Sequence, residues 1–172
     1  SLAASSFAEN VSTGTTIASA SASDPESQAI TYSLSGTGSG NFAVDSAGNI
    51  TLAAGLDYET ATSYSLTLSA SDGVNTTNNT LTITIDDVNE APSLSSSLAA
   101  SSFAENVSTG TTIASASASD PESQAITYSL SGTGSGNFAV DSAGNITLAA
   151  GLDYETATSY SLTLSASDGV NT

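Results

Sequence analysis

The sequence lacks every residue that carries a positive charge or a reactive sulfur. Its 172 residues include no Lys, Arg, His, Cys or Met, while 17 Asp and Glu give a formal net charge of −17 at pH 7. Without basic side chains there is no electrostatic surface for a nucleic acid or an anionic membrane. Without His, Cys or Lys there is no catalytic triad, thiol centre, Schiff base or zinc site. We therefore expect no enzyme, no nucleic-acid partner and no membrane insertion by this segment.

The side chains that remain are carboxylates, hydroxyls and amides, and Ca²⁺ takes about six to eight such oxygens. The composition therefore points to calcium as the cofactor. Disorder is the alternative for an acidic chain rich in Ser and Thr. However, 38 % of the residues are hydrophobic and only 10 % are charged. Because the carboxylates are isolated between short apolar segments, we expect the chain to fold.

The clearest feature is a repeat. Residues 97–172 reproduce residues 1–76 letter for letter, an offset of 96 residues. This period exceeds the ~20–50 residues of solenoid repeats, so it indicates tandem domains. We predict one domain over residues 1–96, with a linker at 87–92, and a second over 97–172 that lacks its final strand and linker. Identical copies suit a molecule whose useful property is its length.

The hydrophobic pattern indicates β-structure throughout. Apolar residues occupy every second position in 64–70 and again in 81–85, which is the period of a half-buried strand. No window shows an apolar helical stripe, so a parallel α/β fold is excluded. Seven short strands in about a hundred residues predict tandem seven-stranded Greek-key β-sandwiches. The five weaker strand candidates are Ala3–Ala8, Thr15–Ala22, Ile30–Leu34, Phe42–Val44 and Asn49–Leu52.

Five short motifs follow one another in a fixed order and carry a resemblance. They read FAEN (Phe7–Asn10), ASDPE (Ala22–Glu26), LDYE (Leu56–Glu59), ASDG (Ala70–Gly73) and DVNEAP (Asp87–Pro92). This order resembles the cadherin repeat, whose motifs read PEN, DxD, LDRE, a lone Asp and DxNDNxP. Ala8, Tyr58, Glu26 and Glu90-Ala91 depart from that pattern, but the acidic positions are retained. Similar repeats occur in long bacterial surface proteins, many of them biofilm adhesins.

The resemblance implies calcium bound between consecutive domains. A complete junction would use oxygens from the first unit, the linker and the second unit: Glu9, Asp57, Glu59, Asp87, Asn89, Glu90, Asp120, Glu122 and Asp168. The same motifs imply two half-sites that face neighbouring repeats: Asp24, Glu26 and Asp72 at one end, and Glu105, Asp153 and Glu155 at the other.

The expected mechanism is electrostatic. Carboxylates that converge on a short linker repel one another, so the linker should splay without metal. Two or three Ca²⁺ ions, the number that the resemblance implies, would replace that repulsion with attraction and stiffen the chain. The segment would then act as a calcium-rigidified spacer of a large secreted bacterial cell-surface adhesin, extracellular, with adjacent repeats of the same chain as its partners.

Three alternatives remain open from the residues. The sandwich itself could bind polysaccharide or an identical domain; a carbohydrate platform usually needs exposed aromatic rings, and Tyr58 and Tyr64 are the main candidates. A domain without its last strand could accept one from another chain and build filaments; the simpler expectation is that the natural chain continues beyond Thr172 and supplies that strand itself. Paired carboxylates also occur in glycosidases, but those need a cleft that raises one pKa.

Overall fold

A computed structural model describes residues 1–172 and separates them into unit 1, Ser1–Val88, and unit 2, Asn89–Thr172. The repeat period would instead divide the chain after residue 96. The structural division falls earlier because residues 93–98 form a strand that pairs with Thr112–Ser119. The sheet of the second unit therefore begins with a strand whose first four residues, 93–96, the period assigns to the first repeat.

Unit 1 is the seven-stranded β-sandwich that the alternation predicts, so the fold prediction is confirmed. One sheet has the order β1-β7-β6-β3 and the other the order β2-β5-β4. The strands are β1 (Ser6–Ala8), β2 (Thr16–Ser19), β3 (Thr31–Thr37), β4 (Phe42–Val44), β5 (Asn49–Leu52), β6 (Ser63–Ser71) and β7 (Thr76–Asp86).

The core of unit 1 lies between these sheets and follows from the period of two. Leu66 on β6 and Ile83 on β7 are fully buried, at 0 % exposure. Strands β6 and β7 are antiparallel neighbours with Leu66 opposite Leu81, so their apolar residues share one face. The remaining core residues are Phe7, Ile17, Ala18, Phe42, Ile50, Leu52, Leu56, Tyr64, Leu68 and Ile85.

Unit 2 has a similar sequence but a smaller core. Its strands are β8 (Ser93–Leu98), β9 (Thr112–Ser119), β10 (Thr127–Thr133), β11 (Phe138–Val140), β12 (Asn145–Leu148) and β13 (Ser161–Ser167). They form a sheet β11-β12-β9-β8 and a two-stranded sheet β10-β13. Four residues make its buried cluster: Ile113, Ala114, Ile146 and Leu148. The cluster is smaller because the unit has no counterpart of β7.

A tight turn joins β6 to β7 and fixes their register. Asp72 Oδ1 accepts hydrogen bonds from the backbone N–H groups of Val74 (2.7 Å) and Asn75 (2.6 Å). Gly73 between them has a φ of +95°, which glycine adopts without steric cost. These backbone hydrogen bonds lower the pKa of Asp72. The only helices are single 3₁₀ turns at Ser39–Asn41 and Ser135–Asn137, and neither could span a bilayer.

Two glycines of unit 1 provide a matched test of close backbone packing. Gly48 (φ +84°) and Gly14 (φ +85°) share a left-handed conformation. A Cβ on Gly48 would lie 2.4 Å from the Ala20 carbonyl oxygen, whereas a Cβ on Gly14 would meet nothing within 4 Å. We expect Gly14→Ala to cost about 1–2 kcal/mol through backbone strain alone, and Gly48→Ala to cost about 1–3 kcal/mol more. Urea unfolding measures both, and equal losses would contradict the packing described here.

Candidate metal centres

Glu9 is a buried carboxylate at the end of β1, with 7 % of its surface exposed. Its own N–H donates to the carbonyl of Asp86 at the end of β7, at 3.1 Å. Its side chain accepts from the N–H of Tyr58 at Oε2 (2.7 Å) and from the N–H of Val88 at Oε1 (2.8 Å). Through these hydrogen bonds Glu9 connects the end of β1 to the LDYE loop and to the residues that follow β7.

Two further carboxylates of unit 1 gather around Glu9. One oxygen from each of Glu9, Glu59 and Asp87 lies within 4.8 Å of the others. Like charges at this distance repel, and the chain has no Lys, Arg or His to offset them. A hard cation with oxygen ligands fits such a set. The predicted ligand Asp57 is outside this group and instead accepts from the N–H (2.9 Å) and hydroxyl (2.8 Å) of Thr60.

In unit 2, Asn89 and Asp168 are joined directly. The Asn89 side-chain amide donates to Asp168 Oδ2 at 2.7 Å, and the Val170 N–H donates to Oδ1 at 2.6 Å. Asp168 is only 9 % exposed. Burial raises its pKa, but the hydrogen bonds from Asn89, Val170 and Asn171 outweigh that effect, so the pKa is lowered overall. The carboxylate is therefore held ionised, as a metal ligand must be.

The DPE loop of unit 2 places two more carboxylates beside the linker residues. Asp120 Oδ1 accepts from the N–H of Gln124 at 2.9 Å, and Glu122 Oε1 accepts from the N–H of Glu90 at 3.1 Å. Hydrogen bonding with the Glu90 carboxyl, and then with its N–H, lowers the pKa of Glu122. Both carboxylates are therefore oriented by backbone groups.

The second oxygen of each of these carboxylates has no such partner. Asp120 Oδ2 and Glu122 Oε2 are buried and accept no hydrogen bond. An unsatisfied buried carboxylate oxygen is costly, and the chain supplies no basic side chain that could satisfy it. The donor set here consists of oxygens alone. These residues therefore fit a hard cation such as Ca²⁺.

In unit 1 the equivalent loops keep the three carboxylates of the predicted half-site away from one another. Asp24 accepts from the N–H of Gln28 at 3.0 Å, Glu26 is exposed, and Asp72 closes the β6–β7 turn. These three do not form a group of close carboxylates like the one around Glu9. Asp24 and Asp72 each accept backbone hydrogen bonds within their turns.

The carboxylates of the other predicted half-site lie close together. Glu105, Asp153 and Glu155 of unit 2 each place an oxygen within 4.8 Å of the others, and all three are exposed. Glu105 accepts from the N–H of Tyr154 at 3.0 Å. The Thr156 hydroxyl, at 2.7 Å, is the main cause that lowers the pKa of Asp153.

Two side chains at this site were not predicted. The Gln124 side-chain amide donates to Asn89 Oδ1, and the Asn171 amide donates to the Asn89 carbonyl at 3.0 Å. Both follow a predicted ligand, at four residues after Asp120 and three after Asp168. That spacing is typical of turns in which an Asp side chain caps the following backbone. The spacing therefore signals the backbone hydrogen bonds to Asp120 and Asp168, but not the side-chain bonds to Asn89.

Comparison with known proteins identifies the family to which both copies of the repeat are similar. The cadherin domain model matches residues 4–86 and 100–172. Mouse protocadherin Fat 4 is 35 % identical over 171 residues, which cover 92 % of this chain and 3 % of that protein. Mouse cadherin-related family member 1 is 33 % identical, with 95 % of this chain and 20 % of that protein covered. The chain thus spans a small part of the length of these relatives.

Solved structures give the same fold. Cadherin domains 1–4 of Drosophila N-cadherin match 94 % of this chain and 42 % of that one, with 28 % identity and a TM-score of 0.57. The extracellular cadherin domains 3–6 of protocadherin gamma B2 match 94 % of this chain and 41 % of that one, with 24 % identity and a TM-score of 0.63.

The repeat offers a matched test of the buried Glu9. Glu9 accepts two backbone hydrogen bonds at 7 % exposure, whereas its counterpart Glu105 is exposed. In Glu9→Gln an NH₂ group must face one of the two N–H donors, so we expect unit 1 to lose about 1–3 kcal/mol. Glu105→Gln should change stability by less than about 0.5 kcal/mol. Urea unfolding in EDTA measures both without metal, and equal losses would contradict this role of Glu9.

Proposed function

We propose, from the premise that this chain belongs to the cadherin family, that it is a calcium-stiffened extender segment of a large adhesive cell-surface protein. Cadherin domains are adhesion modules rather than enzymes, and as a class they bind calcium. The observation that carries the proposal is the pair of buried oxygens, Asp120 Oδ2 and Glu122 Oε2, that accept no hydrogen bond. In a chain without Lys, Arg or His, an added cation is the partner that matches their charge.

The proposed ligands form two sets, and the last residue of one set is separated from the first residue of the other by a single position in the sequence. Glu9, Glu59 and Asp87 belong to unit 1, and Asn89 begins the set of unit 2 one residue after Val88. We propose that calcium held by both sets stiffens the segment that joins them. Calcium is favoured over Mg²⁺ because Mg²⁺ demands near-ideal octahedral geometry and keeps its waters. Extracellular calcium modules bind with dissociation constants of about 10⁻⁴–10⁻³ M.

The extender role is supported by the repeat and by the relatives. Two identical copies add length without adding a new surface, and the chain covers only 3 % of mouse protocadherin Fat 4. An extracellular location is supported by membership of the cadherin family and by the protocadherin relative. We also propose a secreted bacterial adhesin of biofilms as the parent protein. The relatives named above are animal proteins, so this last step is supported only by the Ser- and Thr-rich, Lys-free composition.

Polysaccharide binding by the sandwich has less support. Tyr64 is only 8 % exposed and packs edge-to-face on Phe42, with ring centroids 5.4 Å apart. Tyr58 is half-buried and packs against the same core. Neither ring is an open platform in unit 1, whereas such platforms present one face of the ring to a sugar.

Calcium should raise the thermal stability of the chain. A cation that binds only the folded state stabilises by mass action, so ~10 mM Ca²⁺ would add about 1.4–2.7 kcal/mol per site at the dissociation constants above. We expect the unfolding midpoint to rise by roughly 6–20 °C relative to EDTA. Equal Mg²⁺ should give a much smaller rise. Coincident melting curves in calcium, magnesium and EDTA would refute calcium binding.

A matched pair of aspartates separates a ligand from a turn residue. Asp168 and Asp72 occupy the same position in the two copies, and only Asp168 bonds to Asn89. We expect Asp168→Asn to weaken calcium binding at this site at least tenfold, or about 1.4 kcal/mol, in isothermal titration. Asp72→Asn should leave that affinity within about twofold. If both variants weaken binding equally, the set around Asn89 does not hold the ion.

A further inference from the structure

The side chain of Asn89 is held at both ends within unit 2. Its amide nitrogen, Nδ2, donates to Asp168 Oδ2 at 2.7 Å and to the Glu90 carbonyl at 3.0 Å. Its amide oxygen, Oδ1, accepts from the side-chain amide of Gln124. The backbone of Asn89 is also held, because the Asn171 side-chain amide donates to its carbonyl at 3.0 Å. These hydrogen bonds fix Asn89 without any metal.

The chemistry of the partners determines which way the Asn89 amide faces. The ionised Asp168 carboxylate and the Glu90 carbonyl can only accept, so they require the N–H groups of Asn89. The NH₂ group of Gln124 can only donate, so it requires the oxygen of Asn89. Turning the Asn89 amide over would set acceptor against acceptor and donor against donor at these contacts. In the metal-free chain Nδ2 therefore faces Asp168, and Oδ1 faces Gln124.

Asn89 supplies a hydrogen-bond donor that the buried Asp168 carboxylate needs. Asp168 is only 9 % exposed, and the chain has no Lys, Arg or His to pair with it. Its Oδ1 accepts from the N–H groups of Val170 (2.6 Å) and Asn171 (2.5 Å), and its Oδ2 accepts from Asn89. A buried carboxylate oxygen without such a donor is costly. The Asn89 amide removes that cost when no cation is bound.

We propose that the Asn89 amide takes the place of a cation at Asp168 in the metal-free chain, and that Gln124 is a positioning residue that fixes it in this orientation. The inference rests on the proposed function, in which Asn89 and Asp168 belong to one ligand set. Calcium takes oxygen ligands, so Asn89 must present Oδ1 to an ion that it shares with Asp168. Because Gln124 bonds to Oδ1 while Nδ2 faces Asp168, the bond from Gln124 competes with calcium binding and lowers the affinity.

The first copy of the repeat offers a matched control for Gln124. The backbone N–H of its counterpart, Gln28, donates to Asp24 Oδ1 at 3.0 Å. The backbone N–H of Gln124 donates to Asp120 Oδ1 at 2.9 Å, so the two loops have the same turn. However, Gln28 is exposed, whereas Gln124 is half-buried and reaches Asn89. The same substitution at both positions therefore isolates the effect of the bond to Asn89.

The first test is made in EDTA on the intact 172-residue chain. Gln124→Met keeps the length of the side chain and removes its N–H donors. We expect the Asn89 side-chain NH₂ to exchange with solvent at least about threefold faster in this variant, as measured by ¹⁵N NMR, because it loses one hydrogen bond. Gln28→Met should leave this exchange rate unchanged. Equal exchange in the unsubstituted chain and in Gln124→Met would overturn the proposal.

The second test measures calcium affinity, which should change in the opposite direction. Removing a bond that exists only in the metal-free form should tighten calcium binding roughly two- to tenfold, the worth of one hydrogen bond. Isothermal titration of Gln124→Met measures this at the site that Asp168→Asn weakens, with Gln28→Met as the control. A general loss of structure would weaken binding instead. Unchanged or weaker binding by Gln124→Met would overturn this inference alone, whereas an unsubstituted chain that binds no calcium would refute the proposed function on which it rests.

Discussion

The structure depends on one electrostatic constraint, which is that every carboxylate must be stabilised without a basic side chain. The chain satisfies most of them with backbone N–H groups. Glu9 accepts two such bonds, and Asp72 and Asp168 each accept two within their turns. Charge-assisted bonds of this kind are stronger than neutral ones. Asp120 and Glu122 also accept a backbone hydrogen bond, but each keeps a second, buried oxygen that accepts none. The turns of the protein therefore have their hydrogen bonds without metal. The two unpartnered carboxylate oxygens would gain a partner if a cation bound.

The β-sandwich makes this arrangement possible by setting carboxylates at the ends of strands. Glu9 follows β1, and Asp87 follows β7, so the pairing of these two strands brings both residues to one end of unit 1. Leu66 and Leu68 are buried in unit 1, where β7 pairs with β6 and covers them. Packing within a unit and the positions of its carboxylates therefore depend on the same strand pairs.

The strands of unit 1 could be predicted because the period of two in β6 and β7, and the turn residues that separate the five weaker candidates, are local properties of the chain. Their limits were less accurate: β1 starts at Ser6 rather than Ala3, and β3 continues to Thr37 because it pairs with β6 along its whole length. The acidic positions were found from motifs, but their individual roles depend on contacts between distant residues. The burial of Glu9 requires the N–H groups of Tyr58 and Val88, which lie about fifty and eighty positions away. Likewise, no local pattern shows that Gln124 bonds to Asn89, or that Asp57 is engaged by Thr60.

The central claim is that calcium converts a flexible connection into a stiff one by neutralising carboxylates on both sides of Val88-Asn89. Small-angle X-ray scattering of the monomeric chain, in several millimolar Ca²⁺ and in EDTA at equal ionic strength, tests this claim most directly. The account predicts that calcium narrows the distance distribution to that of one rigid particle, whereas EDTA gives the broader distribution of an ensemble of arrangements. Superimposable scattering curves would contradict it, because the carboxylates would then have no role in stiffening the chain.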